Sequence, residues 1–392
     1  MKKKTLALLI GACGVLPAHA QGSVTIYGLL DLSMGRSDNG SGVTLPSGVV
    51  PSAPAQKIYR LDTGVAYGSR LGFRGTEDLG GGLSANFLME MGVAMDTGGL
   101  NQGGLAWGRQ IYAGLGTSSW SLTAGRQYTP MNFAIATSEA LNGGYWGNVT
   151  GEAVSAYESI GSSAGDGAPV GGRADNSVLG MFTTGPFTAK LMVTAGNENA
   201  RGTGRLINAS VLYKDGPLMA TAVAGKVRQP ATMITATASP EWMDSWMVGG
   251  SYDFKVAKLF VGAYQFTGPQ NLANYSPAAT LGSPTAVGQA YTWAKNKIVW
   301  VGATVPVGNG QILAQVARET FPYAGAATGA GTIIGLSYDY FLSKRTVLYT
   351  SYAQVNNNDR SRVPLYGAIP LVGPNGFGSD PRALSFGLRL SF

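Results

Sequence analysis

The chain has 392 residues, with 28 Lys+Arg against 21 Asp+Glu, a formal charge of +7. It is 45% hydrophobic yet only 12% charged, about half the charged fraction of an ordinary soluble domain. Gly, at 58 residues, stands at roughly twice average usage, which with 18 Tyr points to many short strands and turns rather than helices. The single Cys and the single His, Cys13 and His19, both fall in the first twenty residues.

Residues 1–20 read as a secretory signal. Lys2, Lys3 and Lys4 precede an apolar core from Thr5 to Leu16, and Ala18-His19-Ala20 forms a small-x-small cleavage site, so the mature chain is expected to begin at Gln21. An apolar run of about 12 residues is too short to span ~30 Å of hydrocarbon as a helix. A lipidated Cys13 is the alternative, since Ile10-Gly11-Ala12-Cys13 loosely resembles a lipoprotein cleavage box. Loss of the leader removes three lysines and leaves 25 basic groups against 21 acidic ones, a net +4. A mature chain without Cys or His excludes disulfides, thiolate metal sites and nucleophile–His catalysis. Carboxylate-pair chemistry or an oxygen-ligand cation site stays open on these residues. Neither an enzyme nor a cofactor is expected, and +4 spread over the whole chain is not a nucleic-acid footprint.

Beyond the leader no stretch of 18 apolar residues occurs, so no transmembrane helix is available. Instead, sixteen period-2 segments recur, near 23–34, 58–75, 82–95, 105–115, 118–128, 173–183, 186–196, 206–214, 217–227, 244–254, 257–267, 295–305, 310–319, 331–341, 345–355 and 382–392. Tight connections alternate with long polar ones, the longest at 129–172, which is the pattern of an up-and-down barrel with periplasmic turns and external loops. The last segment shows the faces. Leu384, Phe386, Leu388, Leu390 and Phe392 share one face, and Ser385, Gly387, Arg389 and Ser391 the other. Leu71 and Phe73 likewise oppose Arg70 and Arg74, while Leu83, Ala85, Phe87 and Met89 oppose Ser84, Asn86 and Glu90. Phe187, Ala189, Leu191 and Val193 oppose Thr188, Lys190 and Thr194. The segments 105–115, 217–227 and 345–355 are ambiguous in parity.

A soluble sandwich would turn the apolar face inward; a membrane barrel inverts it. Lipid offers the backbone no hydrogen bonds, so a sheet survives there only when it closes. Strands of 9–11 residues tilted by ~45° match the hydrocarbon thickness. Tyr27, Tyr112, Tyr213, Tyr252, Tyr264, Trp300, Tyr338 and Tyr340 fall near strand ends, where amphipathic rings favour the two interfaces. The expected fold is an all-β, sixteen-stranded antiparallel transmembrane barrel over 21–392, with Arg70, Arg74, Glu90, Lys190 and Arg389 facing a wet lumen.

Several stretches resemble the general porins of Gram-negative outer membranes, in particular the β-proteobacterial type. They are Ser23-Val-Thr-Ile-Tyr-Gly-Leu-Leu-Asp31, Ser69-Arg-Leu-Gly-Phe-Arg-Gly-Thr-Glu-Asp-Leu79, Arg109-Gln-Ile-Tyr-Ala-Gly-Leu115, Gly125-Arg-Gln-Tyr-Thr-Pro130, Asn176-Ser-Val, Leu342-Ser-Lys-Arg-Thr346 and the terminal Phe392. The resemblance implies a homotrimeric outer-membrane channel for passive diffusion of small hydrophilic solutes, whose third loop folds into the pore. It puts the basic wall of the constriction on Arg70, Arg109 and Arg173, with Arg74 beside them, and makes 129–172 the constriction loop with acids Glu139, Glu152, Glu158 and Asp166. Phe392 would be the tag read by the barrel-insertion machinery, and lipopolysaccharide a neighbour in the membrane. Three departures stand out. The Pro-Glu-Phe-Gly-Gly stretch of some third loops is absent, Leu179 replaces an Arg that many relatives carry, and no His precedes the final residues.

A wall of Arg facing fewer carboxylates would draw anions modestly. A channel specific for one small anion or organic acid is the rival reading. For Arg109 the parity is in conflict, because Ile111 and Leu115 would turn it outward.

Overall fold

The structure is a computed structural model that describes residues 23–41, 56–155, 172–196, 204–228, 242–268, 295–321 and 328–392. The expected leader with Cys13, the loop acids Glu158 and Asp166, and parts of several long connections lie outside the described residues.

Period-2 patterning becomes strand almost throughout: β1 (Ser23–Asp38), β2 (Lys57–Thr63), β3 (Arg70–Gly80), β4 (Leu83–Gly92), β5 (Gln110–Gly116), β6 (Trp120–Tyr128), β7 (Arg173–Thr184) and β8 (Phe187–Thr194). The second half continues with β9 (Leu206–Asp215), β10 (Leu218–Arg228), β11 (Trp242–Asp253), β12 (Lys258–Thr267), β13 (Asn296–Val307), β14 (Gly310–Phe321), β15 (Gly329–Phe341), β16 (Thr346–Asn357), a short hairpin β17 (Leu365–Tyr366) and β18 (Leu371–Val372), and β19 (Arg382–Ser391). Each wall strand pairs antiparallel with its neighbour, and β19 pairs with β1, so the sheet closes on itself. β2 and β3 together make one crossing, because both pair with β1, which leaves sixteen wall strands.

The seam rests on the last residue. Phe392 N donates to Gly28 O and Gly28 N to Phe392 O, both at 3.1 Å, which carries the ladder to the end of the chain. A Cβ on Gly28 would lie 2.3 Å from the Phe392 ring, so the missing side chain is the space that the ring occupies.

One face of the sheet is apolar and exposed, with Phe386 57%, Val261 60% and Leu336 52% accessible, while Ser337, Ser351 and Ser385 on the other face are buried. The ambiguous strands now resolve. Leu218, Ala220, Ala222 and Ala224 face out on β10, Leu348 and Tyr352 on β16, and Ile111 and Leu115 on β5. The aromatic expectation divides. Tyr213, Tyr252, Tyr338 and Tyr340 share the outward parity, whereas Tyr264 and Trp300 are buried inside, and Tyr27 and Tyr112 also turn inward. The inner rings have polar partners there: Tyr27 OH donates to Glu90 (2.9 Å) and Trp300 Nε1 to Ser138 O (2.8 Å).

Two expectations are corrected. The segment 58–75 is broken at 64–69, because Gly64 adopts φ +70° and turns the chain inward. Asp31 replaces the ladder there: its carbonyl accepts from Gly64 N (3.0 Å) and its carboxylate from Tyr67 N (2.9 Å), while its own N–H donates to Ser69 Oγ (2.9 Å). The last long connection also folds in. Val363, Leu365, Tyr366 and Val372 are buried, and Ala368 N and Ile369 N donate to Val65 O and Gly64 O.

Gly28→Val should cost on the order of 1–3 kcal/mol through overpacking of the filled seam, and deletion of Phe392 should lower the yield of assembled barrel. Heat-modifiability on detergent gels reads both; wild-type migration and yield in the two variants would contradict the seam.

Candidate pore constriction

The segment after β6 is built to turn inward. Thr129 caps helix α1 (Pro130–Thr137), its side chain accepting from Asn132 N at 3.2 Å, with Pro130 in the first turn. Pro130, Met131, Ala134 and Ile135 are buried, and the helix lies against β8–β11. The chain then crosses to the opposite wall along the polar face of the sheet. Trp146 N donates to Ser351 Oγ (3.0 Å), Trp146 Nε1 to Ser385 Oγ (2.9 Å), Gly147 N to Tyr366 O (2.9 Å), and Tyr145 OH to Asp339. Gly144 touches the broken strand so closely that a Cβ would lie 1.7 Å from Ala66 O. Trp146, Leu141, Ile135 and Met131 pack with Met247, Ile298, Ile333 and Val355 into one apolar cluster inside the barrel.

Glu139 ties this segment together. Its carboxylate accepts from Gly143 N (2.9 Å), Val149 N (2.8 Å), Thr150 N (3.2 Å), the Thr150 hydroxyl and Gln315 Nε2 (2.8 Å) on β14. It is 1% exposed, and burial raises its carboxyl above the ordinary range. Glu152 is equally enclosed; burial pushes its carboxyl well up, and the neighbouring Glu319 adds to the rise. Both are therefore placed inside the packing of the segment, away from open water.

Across the lumen the predicted bases converge. Arg109 Nε lies 2.7 Å and Arg70 Nη1 3.9 Å from the Glu90 carboxylate, which also accepts from Tyr27 OH. Arg109 Nη2 donates to Tyr128 OH at 2.8 Å, Arg173 Nη2 donates to the same oxygen, and the Arg173 guanidinium lies 4.2 Å from the Tyr128 ring centroid. The parity conflict at Arg109 dissolves because the residue precedes β5 and is not bound by the strand's alternation. Arg74 shares the inward parity but stands apart, exposed and stacked over Tyr27 at 5.3 Å. Lys190 lies over the Phe133 ring at 4.6 Å. Arg389 reaches Tyr145 OH (3.2 Å) and approaches Asp339 (3.8 Å).

Two cavities follow the remaining open path. One of about 460 Å³ on the long-loop side is lined by Arg70, Arg109, Arg173 and Tyr128. The other, about 590 Å³, opens toward the short turns. Tyr67, Thr137 and Asn142 line both, and Asn142 Nδ2 donates to Tyr67 OH at 2.9 Å where they meet. Sequence reasoning missed Tyr67, Asn142 and Tyr128; a Tyr between two glycines, Gly64 and Gly68, was the available signal for the first.

A family model described as Gram-negative porin matches residues 5–360 of this chain. The chain belongs to that family. Outer membrane porin protein 32 of Delftia acidovorans is 30% identical over 400 residues, spanning 100% of both chains. An outer membrane porin protein of Bordetella pertussis is 30% identical over 90% of this chain and 94% of its own. Among solved structures, an anion-selective porin from Comamonas acidovorans superposes with a TM-score of 0.71 at 26% identity, covering 95% of this chain and 100% of its own. A trimer form of OmpT from Vibrio cholerae shares the fold, with a TM-score of 0.61 at 15% identity over 95% of this chain and 99% of its own. This porin is thus an outer-membrane β-barrel channel for small hydrophilic solutes and ions.

The raised Glu152 carboxyl has a pH consequence. The folded state holds the proton to higher pH than the unfolded chain, so docking of the segment is favoured at acid pH and weakens as pH rises through the raised value. Open-channel current noise of this porin should grow as pH is raised above the ordinary carboxylate range, and Glu152→Gln should flatten that dependence. Noise independent of pH in the wild type, or unchanged dependence in the variant, would contradict it.

Proposed function

We propose that this porin conducts anions in preference to cations, with 129–172 as the loop that narrows its pore. One observation carries the reading: among the described residues six inward acids are enclosed, while Arg70, Arg74 and Lys190 stay accessible. Asp31, Glu90, Glu139, Glu152, Glu319 and Asp339 are between 0 and 3% exposed. Asp31 is engaged by Tyr349 OH at 2.7 Å, Glu319 by Asn296 Nδ2 at 2.9 Å and Asp339 by Gln311 Nε2 at 3.1 Å. Arg70 remains 21% exposed at its side chain, and Lys190 is half-buried. At the constriction a permeating ion meets Arg70 and Lys190 directly and these six carboxylates only through protein, while Asp253 stays exposed at the short-turn mouth.

At the eyelet, among the described residues, three guanidiniums stand against the Glu90 carboxylate. Arg stays charged in any environment, and its planar group stacks on Tyr128. Each uncompensated charge about 4 Å from an ion in water-like surroundings is worth roughly 1 kcal/mol. That is enough to bias permeation without trapping the solute. The Comamonas relative is described as anion-selective, which supports the same sign. We assign the porin to a homotrimer on the strength of the trimeric OmpT relative.

In planar bilayers with a potassium chloride gradient, the zero-current potential should take the sign of chloride preference. Arg70→Ser should lower the chloride-to-potassium permeability ratio by about two- to fivefold, the effect of removing one unit charge near the ion path. A cation-preferring wild type would overturn the proposal.

A further inference from the structure

We infer a second anion site at the short-turn mouth of this porin, formed by Lys214, Lys255 and Lys258 and suited to compact multivalent anions such as sulfate or phosphate. It rests on the anion preference proposed above and extends it from the constriction to the periplasmic exit. The three lysines and Asp253 line the cavity of about 590 Å³, together with Thr304 and Gln311, and Tyr67, Thr137 and Asn142 form its inner end. Those three residues border both the arginine-lined and the lysine-lined cavity.

The turn between β11 and β12 shapes the site. Lys255 adopts φ +68°, and its N–H donates to Asp253 Oδ1 at 2.7 Å, while Phe254 N donates to Ala257 O at 2.9 Å. Asp253 is therefore partly engaged by the backbone. In the ladder Asp253 sits opposite Lys258, whose ammonium lies 4.9 Å from the Phe260 ring centroid. Lys214 enters from the end of β9, fixed through its N–H to Pro186 O at 2.9 Å. Three ammonium groups around one exposed carboxylate leave a net positive chamber. The other acid of its lining, Glu139, is enclosed.

Lysine suits this position. A compact hydrated ammonium attracts an anion without the two-point grip of a guanidinium, so the ion can leave, as conduction requires. The attraction scales with the charge of the ion, which favours a doubly charged anion over chloride. Because Lys214 and Lys255 are exposed and Lys258 is half-buried, it fades once the Debye length shrinks to about 3 Å at 1 M salt.

The test is conductance of the refolded porin in potassium sulfate, from about 10 mM to about 1 M, for the wild type and for a variant carrying Lys214→Gln, Lys255→Asn and Lys258→Gln. Asn is chosen because it tolerates the left-handed backbone. The wild type should saturate, and the variant's half-saturating concentration should rise by about three- to tenfold, with unchanged conductance in about 1 M potassium chloride, where screening hides these charges. Lys255→Glu alone, at an exposed turn, should shift the midpoint in the same direction. A linear wild-type sulfate conductance, or midpoints unmoved in both variants, overturns the site. Chloride preference retained alongside unmoved midpoints would sink this inference alone, whereas potassium preference in the wild type would remove the reading beneath it.

Discussion

Every feature of this porin depends on the backbone hydrogen bond in hydrocarbon. A strand that faces lipid has no water to complete its ladder, and each orphaned group would cost several kcal/mol. Closing the sheet removes the edges. Here closure is completed by the reciprocal bonds between Gly28 and Phe392, with the ring in the space a Gly28 side chain would fill. Once the sheet closes, alternation along each strand acquires two different solvents: Leu388 and Leu390 meet acyl chains, and Arg389 on the same strand meets the interior.

A barrel of sixteen strands is too wide for its own side chains to fill. Among the described residues three inward segments share the space: 129–155, the break at 64–69 and the hairpin of β17 and β18. They join through backbone contacts, as in Gly147 to Tyr366 and Ala368 to Val65, and pack apolar side chains on the wall from β10 to β16. This crowding leaves the path along Arg70, Arg109 and Arg173 open. It also explains the fate of the acids. Glu139 and Asp339 hold the inward segments, so their charge is spent on structure, while Arg70 opposite stays accessible to the solute.

The wall was legible because lipid exposure writes a period of two into the sequence. β19 and β8 could be assigned to faces from composition alone, and Arg70, Glu90, Lys190 and Arg389 follow from that parity. Where both faces carry small or apolar residues, as on β10 with Ala222 outside and Val223 inside, alternation says little. Arg109 misled for another reason, since parity fails one residue beyond a strand end. The inward segments were less legible. Their positions depend on contacts far apart in sequence, such as Glu139 with Gln315 and Trp146 with Ser385, which no local pattern encodes. The break in the second crossing carried a faint sign in Gly64 and Gly68. The folded last loop carried another, in the apolar Val363, Leu365 and Val372.

The inverted sheet can be tested at two adjacent residues. On a background lacking Cys13, single cysteines at positions 388 and 389 of the porin in liposomes would be exposed to a charged, membrane-impermeant thiol reagent. Position 389 should react rapidly through the water-filled lumen, and position 388, against lipid, should stay unmodified. Rapid labelling at 388 with protection at 389 would mean that the apolar face is not the one turned to the membrane.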